Sequence, residues 1–155
     1  MTKADRLSAA LDEFLAVSPD VEAAAIVSAD GLPIASALPT DVEEDRLAAM
    51  SAALLTLGEK AAEGLGKGDL AQVFVEGESG YVVLMAAGPH AVLVCVTSRS
   101  AKVGLVLFEM RRGAAEIARV MDQASVSFAA AAEPEGPRPV DAYLPPQEAP
   151  VATWQ

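Results

Sequence analysis

The sequence predicts an α+β domain of element order α-β-β-α-β-β-β-α, and three observations carry that prediction. Two apolar runs, Val21 to Ser28 and Leu32 to Ala37, flank an Asp30-Gly31 pair, the strongest short-range hairpin signal a chain offers. A long apolar helical pattern follows it. Three short strands then succeed one another across Gly77-Glu78-Ser79-Gly80 and Gly88-Pro89-His90, and turns that short imply an antiparallel meander.

Residues 4–17 open the chain as a helix, with Leu7, Leu11, Phe14 and Leu15 at i, i+4, i+7 and i+8. Thr2 is its N-cap and Ser18-Pro19 stops it. In the hairpin, Pro33 has no N–H to give a sheet ladder, which places the second strand at a sheet edge. Pro39-Thr40-Asp41 opens the second helix, with Asp41/Glu44 and Thr40/Glu43 both in capping-box form. It runs to Glu63, and Gly64-Leu65-Gly66-Lys67-Gly68 ends it as cap and loop.

That second helix is apolar on two sides. Leu47, Met50, Leu54, Leu57 and Ala61 form one seam, spaced 3-4-3-4, while Ala48, Ala49, Ala52, Ala53 and Leu55 fill the opposite side. A domain of this size offers the helix one core face, so the remaining side is expected to meet another chain.

The strands read as Leu70 to Glu76, Tyr81 to Ala87 and Ala91 to Thr97, with Gln72, Phe74 and Glu76 on one face of the first. The last helix spans about Ser100 to Asp122, with Val103, Val106, Leu107, Met110, Ala114, Ile117 and Met121 on one face. Arg111, Arg112 and Arg119 fall toward its C-terminal end, where cations are favoured. Domain organisation is therefore residues 1–125 as one folded unit and 126–155 as a Pro-rich disordered tail; six of the ten prolines follow Glu133, where apolar periodicity disappears.

Composition narrows the function classes. A net charge of −11 argues against nucleic acid and anionic membrane surfaces, which need clustered Lys and Arg. No apolar stretch reaches the roughly 18 residues of a membrane span, and no signal-peptide block opens the chain, so a cytoplasmic protein is expected. Cys95 sits alone in an apolar run and reads as a buried small hydrophobe.

Catalytic chemistry finds no footing. Gly64-Leu65-Gly66-Lys67-Gly68 lacks the phosphate-loop spacing and follows a helix where a strand is required. His90 is the single histidine, in a Gly-Pro turn; Ser98-Arg99-Ser100 reads as a helix cap, and Asp41, Glu43, Glu44 and Asp45 as solvated first-turn carboxylates. No Ser-His-Asp or Cys-His set can be assembled. No catalytic, cofactor or metal residue is assigned, and the protein is not expected to be an enzyme.

Three stretches give the chain a family resemblance: Val27-Ser-Ala-Asp-Gly-Leu-Pro-Ile-Ala-Ser36, Leu47-Ala-Ala-Met-Ser-Ala-Ala-Leu-Leu55 through Gly58-Glu59, and Val103-Gly-Leu-Val106. Over about residues 3–123 they resemble the roadblock family, the dynein light-chain roadblock-type domain also found in prokaryotic regulators of Ras-like GTPases. The resemblance implies a five-stranded antiparallel sheet sandwiched by helices. It also implies homodimers whose sheets join edge to edge, with the second helices side by side, and a non-catalytic platform for a small Ras-like GTPase.

On this chain the expected dimer residues are Ala49, Ala53, Gln72, Phe74 and Glu76. The expected GTPase surface is an exposed flank of Ala48, Ser51 and Ala52 beside Leu55 and Glu59. Two other readings stand beside it: a small-ligand sensor, opposed by the scarcity of polar and aromatic residues convergent on a pocket, and a structural dimerisation adaptor with no GTPase partner.

Overall fold

The structure is a computed structural model that describes residues 1–131, with side chains as far as Gln123. The tail expected beyond the domain boundary lies largely outside the described residues.

Helix α1 spans Lys3–Val17. Its N-terminus closes in a reciprocal box: the Asp5 N–H donates to the Thr2 hydroxyl at 3.2 Å, and the Thr2 N–H donates to the Asp5 carboxylate at 3.0 Å. The donated backbone hydrogen bond from Thr2 holds the Asp5 carboxyl below the usual carboxylate range. Strands β1 (Val21–Ser28) and β2 (Pro33–Ala37) form the hairpin, with Gly31 at φ +87° in the turn, a conformation suited to glycine.

Helix α2 spans Glu44–Gly64, followed by β3 (Gln72–Gly77), β4 (Gly80–Ala86), β5 (Ala91–Ser98) and α3 (Val103–Ala131). The five strands form one antiparallel sheet in the order β2-β1-β5-β4-β3. Pro33 lies on one edge strand, as its missing donor requires, and β3 is the other edge.

Register assigns the two faces. Ala24, Cys95 and Val83 stand across from one another and face α1 and α3, in a core with Leu7, Leu11, Phe14, Met110 and Ile117. Their neighbours Ala25, Val94 and Leu84 face α2, in a second core with Val27, Val92, Ala48 and Leu55. This strict alternation buries β1 and β5 on both sides, which is why their sequences read as continuous apolar runs.

Cys95 lies in the first core with no exposed surface, and burial pushes its thiol pKa up. The folded state thus holds the proton. The stability this gives is present below about pH 8.5, where a free thiol ionises, and falls by up to about 1.4 kcal/mol per pH unit above it. A thiol reagent should therefore label native Cys95 only at the rate of unfolding, and prompt labelling in native buffer would contradict the burial.

Three expectations are corrected. The second helix starts at Glu44, with Glu43 as an N-cap that makes no side-chain hydrogen bond, so neither the Asp41 nor the Thr40 capping box forms. A Pro39–Val42 turn occupies that stretch instead, closed by the Val42 N–H donating to the Pro39 carbonyl at 3.1 Å. The last helix starts at Val103, beyond Ser98-Arg99-Ser100. The Lys102 N–H at its start donates to the carboxylate of Asp20, 3.0 Å away, a partner supplied by a distant loop. Finally, α3 continues to Ala131, so Arg111, Arg112 and Arg119 lie within the helix and not at its dipole-favoured end. The C-terminus of α2 closes as expected: Gly66 adopts φ +70°, and the Lys67 N–H reaches the Ala62 carbonyl at 2.7 Å.

Candidate functional site

Among the described residues, helix α2 is the one that covers its face of the sheet, and which of its residues turn inward decides what it offers outside. Ala48, Ser51 and Leu55 face the sheet and are buried, Ser51 being only 2% exposed. Gly58 continues their row: a Cβ there would lie 2.9 Å from Val73 Cγ2 and 3.0 Å from Leu70 Cδ2. The inward row 48-51-55-58 thus has the same 3-4-3 spacing as the large apolar seam, displaced by one residue.

The displacement has a steric cause. Branched side chains of Val27, Leu84, Val92 and Val94 already fill this face of the sheet. Small residues let the helix backbone come down onto them; a row of Leu and Met would hold it away.

This overturns part of the expected partner surface. Ala48 and Ser51 are not on an exposed flank, and Leu55 is buried with them. Ala52 is half-buried: its Cβ lies 3.5 Å from where a Cβ on Gly31 would stand, so the hairpin turn rests against it. Glu59 is exposed, as are Ala49 and Ala53.

What α2 presents instead is the large-residue seam. Met50 is 49% exposed, Leu54 38% and Leu57 64%, a row of long apolar side chains along one flank. Single exposed hydrophobics are ordinary, but a contiguous row on one helix marks a surface meant to be covered.

The C-terminal half of α2 lies over β3, because Gly58 of the inward row meets Val73 and Leu70 there. On β3 itself Gln72 is half-buried, while Phe74, Val75 and Glu76 are exposed. Among the described residues, no other strand pairs with its outer edge. One end of that edge is nonetheless fastened. Arg99, at the end of β5, donates to the carbonyls of Gly77 and Glu78 at 3.1 and 3.2 Å and lies 3.7 Å from the Glu76 carboxylate. The Phe74 and Tyr81 rings stack diagonally across the β3–β4 pair, with centroids 5.2 Å apart.

Sequence reasoning had no route to Arg99, whose partners lie more than twenty residues away. The spacing of Gly58 within the inward row was a readable sign of close approach.

Among the described residues, no group of three or more His, Cys, Asp or Glu could hold a metal, and no helix is long and apolar enough to cross a membrane. The Ser36 hydroxyl donates to the Glu44 carboxylate at 2.7 Å, tying β2 to the start of α2. The arrangement is one of surfaces: an apolar helix flank, an acidic helix start and an open strand edge.

The Roadblock/LC7 domain profile matches residues 7–97, and the chain belongs to that family. It is 35% identical over 97 residues to the uncharacterized protein MJ1340 of Methanocaldococcus jannaschii, covering 63% of this chain and 84% of the relative. Its structure resembles a Roadblock/LC7 domain from Streptomyces avermitilis at 26% identity and TM-score 0.68, over 74% of this chain and 96% of that one. It also resembles the gliding protein MglB of Thermus thermophilus at 24% identity and TM-score 0.72, over 79% and 93% of the two chains.

Proposed function

We propose that this protein is a non-catalytic, cytoplasmic homodimer that binds a small Ras-like GTPase across its paired α2 helices and modulates that partner's nucleotide cycle. The observation that carries the reading is the exposed row Met50, Leu54 and Leu57 on α2, together with the open edge of β3, in a chain of the Roadblock/LC7 family.

In the dimer, β3 pairs with its copy and the two apolar flanks meet. Ala49, Ala53, Gln72, Phe74 and Glu76 lie at or beside that contact. Sheet pairing with two packed helices should bury more than about 1,200 Å², the size of a specific interface. The GTPase then meets the surface the helices leave outward. Ala52 and Glu59 are its proposed contacts here, with Glu43 and Asp45 steering a basic partner surface at the helix start, an effect that salt weakens. Because this surface lies astride the two-fold axis, one GTPase occludes the equivalent second position. The folded unit suffices for all of this, and the Pro-rich tail adds nothing to dimer or GTPase binding.

In this reading the protein adds no catalytic group of its own, and any effect on hydrolysis comes from repositioning the GTPase's own groups. Titration calorimetry with Ras-like GTPases from the same cell, each loaded with GDP or a GTP analogue, tests the reading. One GTPase should bind per dimer, and Ala52→Arg should weaken binding by about tenfold or more while the dimer persists. Absence of binding by every such GTPase at low salt, or GTP hydrolysis by the purified protein alone, would overturn it.

A further inference from the structure

We infer that a hollow at the start of α2 is the receptor for Leu65 of a second copy, and that this contact fixes the two α2 helices antiparallel in one register. The inference rests on the paired-α2 reading above. It adds the residues that select a second copy of this chain as the partner.

Both halves of the contact lie on the flank of α2 that carries the exposed row. At the N-terminal end, Asp41, Val42, Glu43, Arg46, Leu47 and Met50 surround an open hollow of about 310 Å³. Its apolar lining is Val42, Leu47 and Met50, two of them seam residues. At the C-terminal end stands Leu65, the C-cap residue of the helix, which at 76% is more exposed than Met50, Leu54 or Leu57. Its N–H still donates to the Ala61 carbonyl at 3.1 Å, so the backbone keeps the helical turn up to this residue. Leu65 therefore follows Met50, Leu54, Leu57 and Ala61 along one flank, at spacings of 4-3-4-4.

A knob and a hollow on one flank satisfy each other in a two-fold pair only if the axis passes midway between them. The hollow is centred near position 45 and the knob is at 65, so the midpoint falls near position 55. The exposed row of Met50, Leu54 and Leu57 is centred on Leu54. Two separate features thus call for the same axis. With Leu54 on it, Ala61 comes opposite Leu47 of the other copy, a small residue against a large one. Leu65 comes opposite Glu43, between Val42 and Arg46, inside the hollow.

Orientation follows from the sheet. Two α2 helices lying side by side on one face of a joined sheet are related by an axis through that face, which sets them antiparallel. Charge favours the same arrangement. The helix start is acidic, with Asp41, Glu43, Glu44 and Asp45 against Arg46, whereas Lys60 and Lys67 stand among Glu59, Glu63 and Asp69 at the other end. The ion pairs among the described residues use neither lysine. Antiparallel pairing brings these cations toward the other copy's acidic start and opposes the helix dipoles; parallel pairing would set two acidic starts together.

Cysteine cross-linking of the full chain tests the register. Val42 and Leu65 of one chain flank a 21-residue helix and are about 30 Å apart, beyond the reach of a disulfide. A chain carrying both Val42→Cys and Leu65→Cys should therefore join only to a second copy. Under mild oxidation it should do so at least about tenfold faster than either single variant, because the register holds the two thiols together. Mixing the single variants should give the mixed pair in preference to either like pair. Cys95 is buried and takes no part.

Leu54→Cys reports on the seam itself, since it should join to its own counterpart in any two-fold pairing centred there. Rapid joining through Leu54→Cys without the 42–65 pair would overturn the register and leave the paired seam standing. Absence of both cross-links would overturn both.

Discussion

A chain carrying Leu57→Glu sediments as a monomer under conditions where the wild-type chain is a dimer, if the seam of α2 is the surface that pairs. In the isolated chain Leu57 is 64% exposed, so the substitution should change the stability of the fold by no more than about 0.5 kcal/mol. In the dimer the same carboxylate enters an apolar contact twice, once from each copy, with no cation on the seam to meet it. An unpaired charge buried in such a place costs about 3–5 kcal/mol, enough to weaken association by at least about a hundredfold. Ala53→Glu, on the outward side of the same helix, should act in the same direction. Light scattering at matched concentration and a thermal melt decide the matter together. An unaltered melt with lost association supports the paired seam, and a Leu57→Glu chain that remains dimeric removes it.

The second large effect is expected at Gly80, where β4 begins. A Cβ at this position would stand 2.0 Å from the Thr97 carbonyl oxygen, and φ is +158°. The obstacle is the backbone of β5, a strand held on both sides by β1 and β4, so it cannot move aside as a side-chain end would. Gly80→Ala must therefore open the β3–β4 turn. The cost should be roughly 3 kcal/mol, a fall in melting temperature of about 10 °C for a domain of this size. Because β3 is fastened at the same end by Arg99, the loss should reach the open edge and weaken the dimer as well. Arg99→Ala should give a milder version, near 1 kcal/mol, since its partners are carbonyls that water can satisfy. Unchanged melting of Gly80→Ala would mean that the hairpin has another way to turn.

Element order, the edge position of β2, the Thr2 cap and the Gly66 stop were all legible because each depends on residues within a few positions of one another. Side-chain period and turn chemistry are local, and Pro33 needs no partner to lack a donor. The start of α3 was not legible, since its capping carboxylate, Asp20, lies some eighty residues earlier in the chain.

The candidate site shows the same limit more sharply. Residues 47-50-54-57 and 48-51-55-58 have identical spacing, so periodicity could not say which row turns inward. Side-chain size favoured the wrong answer at Ser51, because the deciding quantity was the room left by Leu84, Val92 and Val94 on strands elsewhere in the chain. Ala49 and Ala53 emerged on the outside because they belong to neither row.

The two margins of the sheet differ in what they permit. A strand edge that pairs with its own copy is also a template on which further copies could stack, and many aggregating proteins grow along such a ladder. Of the two edge strands among the described residues, β3 is the one without a proline. When two chains join there, both ends of the resulting ten-stranded sheet are β2 strands, each short and each carrying a proline that cannot extend the ladder. In the proposed dimer, growth by strand addition would therefore halt after one step, and Pro33 would act as a terminator that keeps an adhesive edge from becoming a fibre.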